Sequence, residues 1–93
     1  MTVRTLFDRC RAFQARMPLA GFFSHSTAAV LHGLSLPKAL EGDSRVHVSV
    51  VAPTRAPRGE GVVGHRVDAR PSVVLVADLQ VANPVAAWCQ TTA

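Results

Sequence analysis

The run from Ser24 to Leu34, SHSTAAVLHGL, constrains the fold more than any other stretch, because it holds a start, a packed face and a stop for one short helix. Ser24 can cap the free N–H groups of the first turn, and Phe23 before it can pack on Ala28 as a hydrophobic staple. Gly33 supplies the left-handed residue that closes a helix.

Around this helix, 93 residues suffice for one small domain spanning 1–93, near the lower limit for a core without staples. Apolar residues make up 48% and charged residues 17%, a globular rather than a disordered composition. The net charge of +4 comes almost wholly from arginine, with Lys38 the sole lysine. That balance permits phosphate contact without requiring it. Cys10 and Cys89 lie far apart with no secretory segment ahead of them, so both read as reduced core residues of a cytoplasmic protein. The longest apolar run, Val73 to Ala77, is far short of the ~20 residues that cross a bilayer.

Val3, Leu6, Phe7, Cys10, Phe13 and Met17 recur at spacings of three and four, which predicts a helix over 3–16 that ends before Pro18. Its other surface carries Arg4, Arg9, Arg11 and Arg16 against Asp8 alone, the best candidate for a phosphate-binding face. Residues 35–44, with Pro37, Gly42, Asp43 and Ser44, read as a loop. The period then changes to two. Val46, Val48 and Val50 alternate with His47 and Ser49, and Gly61 to Val67 resumes a strand after a Pro- and Gly-rich connection, a pattern that predicts a long-looped hairpin. Gly64 inside the second strand signals a bulge or a close backbone approach. Val73 to Ala77 and Leu79 to Ala82 read as further short strands on either side of Asp78. Asn83-Pro84 opens a last helix whose apolar stripe is Val85, Trp88, Cys89 and Thr92. So short a helix must dock, and so small a domain offers it little surface, so the stripe predicts a homodimer or an exposed apolar patch. The expected class is α+β: two N-terminal helices, a mostly antiparallel sheet of three or four strands, and a short C-terminal helix.

Four islands in order resemble the antitoxin-like domain of AbiEi-type toxin–antitoxin proteins, a region also found ahead of very-short-patch-repair-like endonuclease domains. They are Phe23 to Pro37, Val46 to Val50, Arg58 to Arg66 and Val81 to Cys89. The residues that carry the motif are Ser24, His25, Thr27, Ala28, Leu31, Gly33, Leu34 and Pro84. The resemblance implies a binding module that neutralises a nucleotidyltransferase toxin. The alternative it implies is the targeting part of an endonuclease whose catalytic domain lies elsewhere. Ala87 and Gln90 stand where the last motif has Arg and Asp, so the polar contacts expected of that helix should be lost. The residues before Ser24 are too few for a winged helix, and a chain ending inside the last motif reads as truncated.

No catalytic signature accompanies these islands. A metal-dependent nuclease needs two acids and a lysine two residues beyond the second, and the nearest version here is Asp68 with Asp78-Leu-Gln80, acids better read as strand ends. His25 and His32 should share a helix face and His47 and His65 should be neighbours across the hairpin, on its solvent side; their spacing does not suit zinc. The sequence therefore predicts no enzyme, no metal and no cofactor. It predicts partner binding, to a toxin or a second copy through Val85, Trp88 and Cys89, with nucleic-acid contact through the arginine face.

Overall fold

The computed structural model describes residues 2–36 and 38–92, with Thr92 described by its backbone only. Pro37 of the expected loop, the Thr92 side chain and Ala93 lie outside the described residues. The first helix, α1 (Val3–Gln14), starts where Thr2 accepts from the Thr5 N–H and buries Leu6, Cys10 and Phe13. Phe7 and Met17 pack on the edge of that stripe, while Val3 in the first turn is exposed.

The chain then makes a strand that the sequence did not suggest. β1 (Phe22–Phe23) is followed immediately by α2 (His25–Leu31). Two residues have no alternation to read. β2 (Val46–Val51), β3 (Val62–Val67), β4 (Val73–Val76) and β5 (Leu79–Ala82) fall where the period of two places them, and α3 (Pro84–Thr92) follows. A single 3₁₀ turn, Lys38–Leu40, interrupts the loop before β2.

The class is α+β, but the sheet is a mixed one of five strands, not an antiparallel one of three or four. Its order is β3-β2-β1-β5-β4. β1 runs antiparallel to β2 and parallel to β5; β4 and β5 form an antiparallel pair. β2 and β3 are parallel, so the expected hairpin is a crossover. Residues 52–61 carry the chain back over the sheet, and burial patterns do not report strand direction. The glycine in β3 is what admits that crossover: a Cβ on Gly64 would sit 2.1 Å from the Pro57 carbonyl oxygen. The turn between β4 and β5 puts Ala77 and Asp78 at φ +49° and +67°, the two positive values of a type I′ hairpin.

Two helix boundaries follow the sequence closely. Beyond α2, Gly33 takes φ +75°, its N–H donates to the Val30 carbonyl, and the Leu34 N–H donates to Ala29. This is the paired bonding of a Schellman stop. At α3, Asn83 accepts from the Ala86 N–H with Pro84 in the first turn, and the Asn83 side-chain amide also donates to the Ser72 carbonyl at the foot of β4.

The core brings Leu6, Cys10 and Phe13 of α1 against Phe22 and Phe23, Val46 and Val48, Leu79 and Val81, and the small faces of α2 and α3. Phe13 meets Phe23 edge to face at 6.5 Å. Burial pushes the Cys10 thiol up to about 12, so it stays protonated and apolar in character. Gly64→Ala should cost about 1–3 kcal/mol in urea unfolding, because the added methyl meets backbone rather than a mobile side chain. Gly42→Ala, with open space around it, serves as the neutral reference.

Candidate functional site

Ser24, His25 and Thr27 sit where β1 gives way to α2, in the middle of the sheet. A two-residue strand there leaves the facing edges of β2 and β5 without a backbone partner over the rest of their length. Groups from α1, from α2 and from the residue that joins β1 to α2 supply what is missing. The Ser24 N–H donates to the His47 carbonyl at 3.1 Å, and the Thr27 hydroxyl accepts from the His47 N–H at 2.8 Å. On the other flank, a His32 ring nitrogen reaches the Ala82 carbonyl at 2.6 Å. At the opposite end of β1, the Gln14 side-chain amide acts as a peptide group would. It donates to the Asp78 carbonyl at 2.8 Å and accepts from the Gln80 N–H at 3.0 Å.

Ser24 does not cap α2 with its side chain, contrary to the sequence expectation. It is fully buried, and its Oγ accepts from Ser49 Oγ at 2.6 Å and lies 3.0 Å from His25 Nδ1. The first turn of α2 is served from another element: Gln90 Oε1 on α3 accepts from the His25 N–H at 2.8 Å. Gln90, where the sequence led us to expect a lost contact, therefore makes one.

His25 adopts φ +54°, a left-handed value that histidine tolerates better than most residues. This turns its ring onto His65, with centroids 3.7 Å apart and planes 13° from parallel. His65 Nε2 is 2.9 Å from His47 Nδ1, and His47 Nε2 is 2.7 Å from Asp43 Oδ2. Arg45 closes the chain by gripping both Asp43 oxygens, at 3.0 and 3.2 Å. Those bonds hold the Asp43 carboxyl well below the usual carboxylate range. The ionised carboxylate can only accept, so His47 donates to it from Nε2–H, which leaves Nδ1 to accept from His65 Nε2–H.

His47 and His65 are thus neighbours as expected, but across a parallel pair, and they are buried and half-buried rather than on a solvent face. His25 and His32 serve different partners. Stacked rings present faces to one another, not lone pairs to a common point, and among the described residues no three His, Cys, Asp or Glu are arranged to hold a metal ion. Asp68 lies just beyond β3 and Asp78 in the β4–β5 turn, so the two acids end strands.

The last helix docks by the opposite stripe from the one expected. Ala87 is fully buried and Thr91 nearly so, whereas Val85 is 71% exposed, Trp88 53% exposed, and Cys89 exposed as well. Asn83 and Gln90 fix α3 in the orientation that turns those residues outward. Cys89 is therefore a surface thiol and not a core residue.

The four N-terminal arginines are all exposed but do not form one face. Arg4 and Arg11 share one row and Arg9 and Arg16 another, about 140° away at ~100° per residue. Arg9 donates to the Ser44 carbonyl, Arg16 lies over the Phe13 ring, and Arg11 lies over Phe7 and 3.8 Å from Asp8. Ala28 and Leu31 are core residues, Leu34 packs on the core's edge, and no helix is long and apolar enough to cross a membrane among the described residues. Comparison with protein-family models, curated proteins and solved structures gave no match.

Burial and the neighbouring rings push His25 down from 6.5 to about 4, and His65 is lowered by burial, by His47 and by the Arg45 charge. Between those two pH values the unfolded chain binds a proton at His25 that the folded chain refuses, so stability should fall as pH drops from about 6.5 to about 4. His25→Asn keeps a residue suited to positive φ and removes the ring. Urea midpoints measured across that window should show a flatter slope for the variant than for the natural chain.

Proposed function

We propose that the chain is a non-catalytic binding module of the antitoxin-like kind, which docks a protein partner through the outer face of α3. The observation that carries this reading is the exposure of Val85, Trp88 and Cys89 at spacings of three and four, on a helix held from behind by Ala87 and Gln90. A half-exposed tryptophan flanked by apolar side chains is the composition of a binding hot spot, and a helix anchored at both ends presents it at little entropic cost. The resemblance of Ser24 to Leu34 to the antitoxin-like motif makes the nucleotidyltransferase toxin of such a system the partner of choice. A cytoplasmic location, where Cys10 and Cys89 remain thiols, accords with this role. Nucleic-acid contact through Arg4, Arg9, Arg11 and Arg16 is a secondary part of the proposal, made by two separate arginine rows instead of a single patch.

Calorimetric titration of the chain with a nucleotidyltransferase toxin of this system type tests the reading. Binding is expected, with Trp88→Ala weakening it by ~30-fold or more, the scale of a hot-spot residue. Absence of heat, or equal affinity for both chains, would contradict it.

A further inference from the structure

A cavity of about 240 Å³ opens between the start of α1, α2 and the loop that leads into β2. Val3 and Leu6 line it from α1 and Ser26 and Val30 from α2, two pairs at helical spacing. Leu36 adds apolar surface, and Glu41 to Arg45 close the remaining side. The volume lies below the roughly 300–1,000 Å³ of pockets for drug-sized molecules, so the ligand it fits is small. No described residue of α3 lines the cavity, which makes it a site apart from the partner-binding face, with a test independent of that reading.

Two of the polar groups around the cavity are engaged. The Thr27 hydroxyl accepts from the His47 N–H and donates to the Arg45 carbonyl, and the Asp43 carboxylate accepts from Arg45 and His47. Three others are not. Ser26 is only 5% exposed, and its side chain bonds to no described group. Among the described residues no enclosed side-chain oxygen lacks a partner, so the little surface that Ser26 retains includes its hydroxyl, which opens into the cavity. At the start of α1 the Thr2 side chain serves the Thr5 N–H, which leaves the Val3 and Arg4 N–H groups without an intrahelical acceptor. On the loop side, the exposed Glu41 carboxylate makes no ion pair or hydrogen bond among the described residues.

These groups are of opposite polarity. The first turn of a 12-residue helix attracts negative charge, and the Ser26 O–H is a further donor, whereas Glu41 attracts positive charge. A simple acid is opposed by Glu41 and a simple amine by the end of α1. A neutral apolar molecule answers none of the three. We propose that the cavity binds a free aliphatic α-amino acid as its zwitterion. The carboxylate accepts from the first-turn N–H groups of α1 and from the Ser26 hydroxyl, the ammonium donates to Glu41, and the side chain packs on Leu6, Val30 and Leu36. Val3, which is 54% exposed, is covered in part by the same ligand.

Titration of the chain with L-leucine, followed through its backbone amide resonances, tests the site. Saturable shifts are expected at Val3, Arg4, Ser26 and Gly42, with a dissociation constant on the order of 1 mM or below. 4-Methylpentanoate lacks the ammonium and isopentylamine lacks the carboxylate, and each should bind ~10-fold more weakly or worse, the scale of a lost hydrogen bond to a charged group. Ser26→Ala should weaken leucine by a similar factor. Glu41→Gln, an exposed change that spares the fold, should weaken leucine and narrow its advantage over 4-methylpentanoate. The proposal is overturned if leucine gives no saturable shift up to ~20 mM. Equal binding of leucine and either analogue overturns it too, as does leucine affinity that neither substitution changes.

Discussion

A sheet whose central strand is two residues long must find partners for the strands on either side, and most of the structure is arranged around that need. β2 and β5 are both longer than β1, and each would expose bare N–H and C=O groups into the middle of the domain. An unpaired buried backbone group costs about 1–3 kcal/mol, a large part of the stability of so small a domain. α2 fills the gap at one end and Gln14 of α1 at the other, with hydroxyl, imidazole and amide groups where peptide groups would otherwise stand. Among the described residues, no buried side-chain nitrogen or oxygen lacks a hydrogen-bond partner.

The motif residues have a physical reading in this setting. Thr27 is a threonine because a hydroxyl must meet the His47 N–H inside a helix packed on the core, and its methyl group adds apolar contact there. Ser24 is small because it is enclosed between β2 and α2 and bonded to Ser49. His25 joins the helix start to the sheet through its stack on His65, and the chain of bonds continues through His47 to the Asp43–Arg45 pair in the preceding loop. Arg45 is exposed, so the strength of that end lies in its two-point grip on Asp43 and not in burial.

Signals confined to a few neighbouring residues were legible in the sequence. Gly33 stops α2, Asn83-Pro84 starts α3, and Gly64 marks the close approach of Pro57, each because local backbone geometry admits few alternatives. Strand positions were legible from β-branched runs. Pairing was not, since Val46–Val51 and Val62–Val67 look alike whether the chain turns back or crosses over. β1 was hidden because Phe22 and Phe23 are too few to show a period. The stripe of α3 was read only in part: Val85 and Trp88 form the exposed apolar patch that so small a domain was expected to leave, but the helix docks through the small residues Ala87 and Thr91 and not through Trp88.

What the fold offers a partner follows from the same economy. The polar groups near β1 are occupied with holding the sheet together, and exposed apolar residues pair up on α3 and at the β4 edge, with Val3 and Leu19 exposed singly elsewhere. Amide hydrogen exchange of the His47 and Gln80 N–H groups tests most directly whether side chains complete the central strand. The account predicts both to exchange far more slowly than the open-loop amide of Gly42, with His47 protected about as well as Val48 in the same strand. Exchange of His47 within ~10-fold of Gly42 would contradict it, because the Thr27 bond would then not be holding the edge of β2 closed.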